Sequence, residues 1–243
     1  SKFNIFNIPI NLNTKHNIIE KKIFNEINSH RLRLNIENDL AYDEKKLDGL
    51  LELTIINKNL KINYSLKNNL LKFSNNDGKI LGNINIKPFF LSSDLKISQI
   101  DLKKFFTSDS ILINILKSQI LNNRNLNGQI NIYTDNFKGQ NFLDKIKFDV
   151  LLEEGDIFIQ NLDTTFKDAV MINLNDTQLI VDDNSLNFAG YINLEFIDLN
   201  NFYAHYQINR KYRKNFKKIT FGFLLDLDDN IIEIDNFKVD GNS

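Results

Sequence analysis

The run Ile219-Thr220-Phe221-Gly222-Phe223-Leu224-Leu225-Asp226-Leu227 decides how this chain is read. Ile219, Phe221, Phe223, Leu225 and Leu227 recur at every second residue. Successive strand side chains point to opposite faces, so these five apolar groups share one face. The polar Asp228-Asp229-Asn230 follows, and Ile232 and Ile234 then resume the pattern, which predicts a hairpin.

The same period recurs upstream. Ile84 and Ile86 alternate with Asn83, Asn85 and Lys87; Ile146, Phe148 and Val150 alternate with Lys145, Lys147 and Asp149. Ile192, Leu194 and Phe196 alternate with Asn193, Glu195 and Ile197. Further strands are expected at 32–36, 50–56, 60–66, 70–73, 95–100 and 129–133, then at 156–160, 170–174, 178–181 and 186–190. Glu153-Glu154 before Gly155 reads as a turn, and Pro88 as the end of a strand. Three short helices are expected. One runs from Ser108 or Asp109 to Leu121, with Leu112, Ile115, Leu116 and Ile120 on one face. Another spans 18–27, where Ile19, Ile23 and Ile27 recur every fourth residue, and a third covers 199–206.

No linker or charge break interrupts the 243 residues, so the expectation is one elongated β domain over 1–243. The fold class is mainly β: a long curved antiparallel sheet, taco-like, with two or three short helices. One-faced alternation serves an open groove and a closed sandwich equally well. Both readings stand at this level. The groove candidates are Ile146, Phe148, Val150, Ile192, Leu194, Phe196, Ile219, Phe221, Phe223, Leu225, Ile232 and Ile234.

Composition narrows the chemistry. There is no cysteine, which excludes thiol catalysis, disulfides and cysteine-held zinc. With 30 basic and 31 acidic residues, the net charge of −1 offers no general attraction to nucleic acid. Asn, Lys, Ile and Phe are abundant; codon drift explains them, and the asparagines are therefore not read as turn markers. His16, His30 and His205 lie far apart, and no G-x-S-x-G, phosphate loop or dinucleotide motif occurs. Asp226, Asp228 and Asn230 have the spacing of calcium-loop ligands, but Ile231 and Phe237 stand where that loop needs Gly and Glu. No catalytic residue, metal or cofactor is expected. One basic cluster, Arg210, Lys211, Arg213, Lys214, Lys217 and Lys218, is interleaved with Tyr212 and Phe216. It reads either as a contact with phosphate, on lipid headgroups or more distantly on nucleic acid, or as a solvated connection into the next strand.

Several phrases, taken in order, resemble the AsmA-like family of Gram-negative envelope proteins. They are Leu47-Asp48-Gly49-Leu50-Leu51-Glu52-Leu53, Gly82 to Phe89, Leu112 to Asn127 and Glu154-Gly155-Asp156-Ile157. Gly190-Tyr191-Ile192-Asn193-Leu194, Asn201-Phe202-Tyr203, Tyr206-Gln207 and the closing run from Arg213 to Gly241 follow. The resemblance implies a non-enzymatic groove segment that binds phospholipid acyl chains. It implies a periplasmic body held to the inner membrane by an N-terminal anchor missing here, and a part in phospholipid transport between membranes and outer-membrane biogenesis. No nucleic-acid partner is implied. The start at Ser1 and the end after a strand-like run read as a segment of a longer protein. The competing expectation is a structural or adhesive β domain with a closed core.

Overall fold

The computed structural model describes residues 2–5, 8–31, 33–55, 58–101, 116–117, 123–139, 143, 146–182 and 185–242. The fold is mainly β, a long antiparallel sheet, as the alternation predicts. The chain groups into two compact units, 1–94 and 95–243.

The first unit holds β1 (Lys2–Ile5), β2 (Ile8–Asn17), β3 (Lys22–Ser29), β4 (Leu34–Tyr42), β5 (Leu47–Ile55), β6 (Lys58–Lys67), β7 (Leu70–Asn75), β8 (Ile80–Ile86) and the start of β9 (Phe89–Ile100). Neighbours in sequence are neighbours in the sheet. The turns explain why. Lys67 pairs with Leu70 across Asn68 and Asn69, whose φ of 49° and 65° suit the two-residue turn that follows sheet twist. Asparagine tolerates that region because its short polar side chain can bond locally. Here the asparagines are turn markers after all, against the compositional reading.

The expected helix over 18–27 is a hairpin. Asn17 Oδ1 accepts bonds from the backbone N–H groups of Ile19 and Glu20, Lys21 has φ 52°, and β3 begins at Lys22. Spacing by four satisfies a strand as well as a helix, and Ile19, 95% exposed, contributes no buried stripe.

The second unit holds the rest of β9, then β10 (Gly128–Phe137), β11 (Ile146–Glu153), β12 (Asp156–Phe166), β13 (Val170–Asp182), β14 (Ser185–Phe196), α1 (Leu199–His205), β15 (Lys218–Asp226) and β16 (Ile231–Val239). The helix predicted at 199–206 is present, capped by Asp198, whose side chain accepts from the Asn201 N–H. Of the helix predicted up to Leu121, only Leu116 and Lys117 are described, and both are helical; Leu112, Ile115 and Ile120 lie outside the described residues. The turns at Glu154-Gly155 and Leu227–Asn230 fall where expected.

Two predicted pairs of strands are single strands. Segments 170–174 and 178–181 form β13, and 186–190 with 192–196 form β14. In β13 the apolar phase slips, from Val170, Ile172 and Leu174 to Leu179 and Val181. The slip is a bulge: the register with β14 jumps between Asn175 and Gln178, and Asp176 has φ 49°. Asn161 at φ 51° and Asn236 at φ 49° mark the same event in β12 and β16. A bulge adds one unpaired residue, so alternation resumes on the same face with its parity changed.

Candidate functional site

Register assembles the predicted apolar residues of the second unit onto one face. Val150 lies opposite Ile130 and Ile159. Leu194 lies opposite Ile172 and Ile219, and Ile192 opposite Leu174 and Phe221. Ile219 pairs with Val239, Phe223 with Ile234 and Leu225 with Ile232. Phe148 pairs with Ile132, Ile146 with Thr134 and Phe196 with Val170. The face therefore runs unbroken over β10 to β16.

The opposite face is mixed: polar pairs alternate there with exposed apolar groups such as Met171, Ile180, Tyr191 and Leu224. Thr220 Oγ1 donates to Asn193 Oδ1 at 2.7 Å, and Asn173 bonds to Asp163 beside it. Asn161 Nδ2 donates to Asp149 Oδ2 at 2.7 Å. The two faces therefore differ in how continuous their apolar groups are, and side-chain hydrogen bonds gather on the second.

Burial is uneven along the apolar face. At one end of the strands Leu116 packs with Leu152, Ile157, Leu186 and Leu227 in a buried cluster. At the other, Phe166, Ala169 and Val170 form a second cluster, against which Phe196 and Phe202 of α1 pack. Between the clusters, Phe148, Val150, Ile192, Leu194, Ile219, Phe221 and Leu225 are only half-buried. Ile146 and Phe223 are buried, at 2% and 7% exposure, whereas Ile232 and Ile234 on β16 are 52% and 56% exposed. A second packed layer would bury the middle as deeply as the ends.

One end has a polar tie and the other an aromatic one. Lys117 Nζ donates to Asp228 Oδ1 at 2.5 Å, and Asp228 Oδ2 accepts from the Leu186 N–H at 3.1 Å. The Lys117 hydrogen bond, aided by Leu186, holds the Asp228 carboxyl below its ordinary range. At the far end Tyr206 stacks on Phe166 at 5.8 Å, and Phe202 meets Phe196 edge-on at 5.0 Å.

The basic cluster lies in the connection between α1 and β15. Arg210, Lys211, Arg213, Lys214, Lys217 and Lys218 are all exposed. Lys218 pairs with Glu195 at 3.4 Å, and Arg213 Nε donates to the Ile208 carbonyl at 2.9 Å.

Sequence reading did not name Ile130, Ile132, Ile159, Leu162, Ile172, Leu174 or Phe188 as parts of this face. The signal was present in their alternation; the bulges at Asn161 and Asp176 obscured which residues share a side.

Other candidates for chemistry stay dispersed. His16 bonds to the Tyr42 hydroxyl at 2.8 Å and His205 Nδ1 lies 3.0 Å from Lys167 Nζ, while His30 sits in an exposed turn. Asp226 Oδ1 accepts from the N–H groups of Asp228 and Asp229, so its carboxylate closes its own turn. Among the described residues no cluster of His, Asp or Glu could hold a metal, and no helix is long and apolar enough to cross a membrane. No protein-family profile matches the chain, and no curated protein or solved structure resembles it significantly.

Proposed function

We propose that this chain is a non-enzymatic lipid-binding segment, in which the apolar face of β10 to β16 takes phospholipid acyl chains. One observation supports the reading above others: the face is contiguous over seven strands, capped by buried clusters at both ends of its central strands, and only half-buried between. Large exposed apolar areas on a folded protein mark surfaces that meet another apolar body. Each buried acyl CH₂ contributes about 0.8 kcal/mol, so a chain of roughly 16 carbons gains on the order of 10 kcal/mol before the costs of binding. Strands about 4.8 Å apart make the seven-strand face roughly 30 Å wide. Such a lining selects for hydrocarbon rather than for one headgroup.

This reading accords with the AsmA-like resemblance, and we extend it accordingly. The segment belongs to a periplasmic protein attached to the inner membrane, and it contributes to phospholipid transport towards the outer membrane. Native mass spectrometry of the chain, purified from a bacterial host without detergent, is the test. A population carrying phospholipid mass is expected. A chain that stays lipid-free, also after incubation with phospholipid, would leave the closed or purely structural β domain as the better account.

A further inference from the structure

The connection from Ile197 to Lys218, which seals one end of the apolar face, carries an unusual surface. Its last 20 residues, Leu199 to Lys218, contain six Lys and Arg and no Asp or Glu, in a chain whose net charge is −1. Charge segregated this far from the mean creates a local positive field where the whole chain has none. Beside it stand large side chains in water: Tyr212 is 66% exposed, Ile197 62% and Tyr206 53%.

The connection is no loose tail. Tyr203, 7% exposed, receives the Lys214 N–H on its hydroxyl at 3.1 Å and donates that hydroxyl to the Lys214 carbonyl. The Arg213 guanidinium lies 5.6 Å from the Tyr203 ring centre, and Phe216 packs edge-on against Phe196 at 4.8 Å. The Lys217 and Lys218 N–H groups both donate to Asp240 Oδ1 at 2.8 Å. A merely solvated connection has no need of this anchoring. Arg210, Lys211, Lys214 and Lys217 enter no ion pair among the described residues, so their charges remain available.

We propose that this rim docks on an anionic phospholipid bilayer. Tyr206, Tyr212 and Ile197 seat at the level of the headgroups, where amphipathic rings are most stable, and the cations meet lipid phosphates. Lys211 lies 4.7 Å from the Tyr212 ring centre, so an aromatic and a cation enter together. The partner is a membrane rather than a nucleic acid because the segment that carries the cations is tied through Phe202 and Tyr206 to the apolar face, and the exposed aliphatic Ile197 opens the same connection. The inference rests on the lipid-groove reading for its purpose, since docking beside this capped end would hold the half-buried face next to the bilayer that supplies acyl chains.

The whole chain is sedimented with vesicles of phosphatidylcholine alone and with vesicles that also contain phosphatidylglycerol, while bound lipid is measured separately by native mass spectrometry. Binding only to the anionic vesicles is expected, weakening as salt is raised. The double variant K211E/K214E should lose at least about tenfold in vesicle affinity with unchanged circular dichroism and unchanged retained lipid. Tyr212→Ser should weaken binding several-fold while leaving its salt dependence intact. Equal binding to neutral vesicles, no vesicle binding, an unaffected K211E/K214E, or displacement of vesicles by a single-stranded oligonucleotide would each overturn the docking rim. A chain that binds anionic vesicles yet retains no lipid would refute the groove and keep the rim.

Discussion

Thr177 lies directly over Gly190. A β-carbon added at Gly190 would meet the Thr177 methyl at 2.3 Å and its Cα at 2.9 Å. Thr177 itself is fully buried, with its hydroxyl donating to the Ile159 carbonyl. The bulge at Asp176 puts the threonine there, and glycine is the residue that lets two strands close around it. Gly190→Ala is expected to destabilise the second unit by about 1–3 kcal/mol, read from chemical denaturation. Thr177→Ala in the same background should restore only part of that, because the backbone contact remains.

Phe221 and Phe223 separate a groove from a core. Phe221 is half-buried and stacks on Phe237 at 6.3 Å, whereas Phe223 is buried against Phe188 at 5.2 Å. Phe221→Asp should keep the strand circular dichroism and lose bound phospholipid. Phe223→Asp should unfold the second unit, because an unpaired carboxylate would be buried. If Phe221→Asp unfolds the chain as completely, the face is a closed core.

The Lys117–Asp228 pair gives one end of the face a pH dependence. Asp228 has a lowered pKa in the folded chain, chiefly through the Lys117 hydrogen bond. Its contribution to stability is present above the unfolded carboxylate value of about 4 and fades as pH falls through the lowered folded value. Asp228→Asn should therefore lower the denaturation midpoint at pH 7 and differ less from wild type near pH 3. An equal deficit at both pH values would show that the charge is not what matters.

Asp149 tests the hydrogen bonds opposite that face. Its side chain is 6% exposed, Asn161 Nδ2 bonds to its Oδ2, and its Oδ1 has no hydrogen-bond partner. Asn161→Ala should cost about 2–4 kcal/mol, combining a lost bond to a carboxylate with strain at φ 51°. Asn161→Gly removes the strain but not the lost bond, so it should lie between Ala and wild type in thermal melts.

Alternation was legible wherever nothing interrupted it. Ile219 to Leu227 holds one parity throughout, and β15 stands where the reading put it. β14 also holds one parity from Leu186 to Phe196, although its two halves read as separate strands, ending at Gly190 and resuming at Ile192; Gly190 instead makes room for Thr177. The helix expected at 18–27 shows the opposite failure. Ile19, Ile23 and Ile27 fit two periods, and the local bonds of Asn17 with the hairpin partner of β3 selected the strand.

By itself the sequence determined that strands dominate, that apolar groups gather on one side of the C-terminal ones, and that turns fall at Glu154-Gly155 and Asp228 to Asn230. These follow from the two-residue period and from backbone preferences, both local properties of the chain. Which side chains meet across strands was decided only by the tertiary structure, because one bulge residue changes the parity of all that follow it. Asn161, Asp176 and Asn236 realign three strands so that residues of odd and even number share one face. The depth of burial along that face was likewise beyond the sequence. Half-buried Phe221 and buried Phe223 have the same side chain and the same parity, and they differ only in what other strands bring against them.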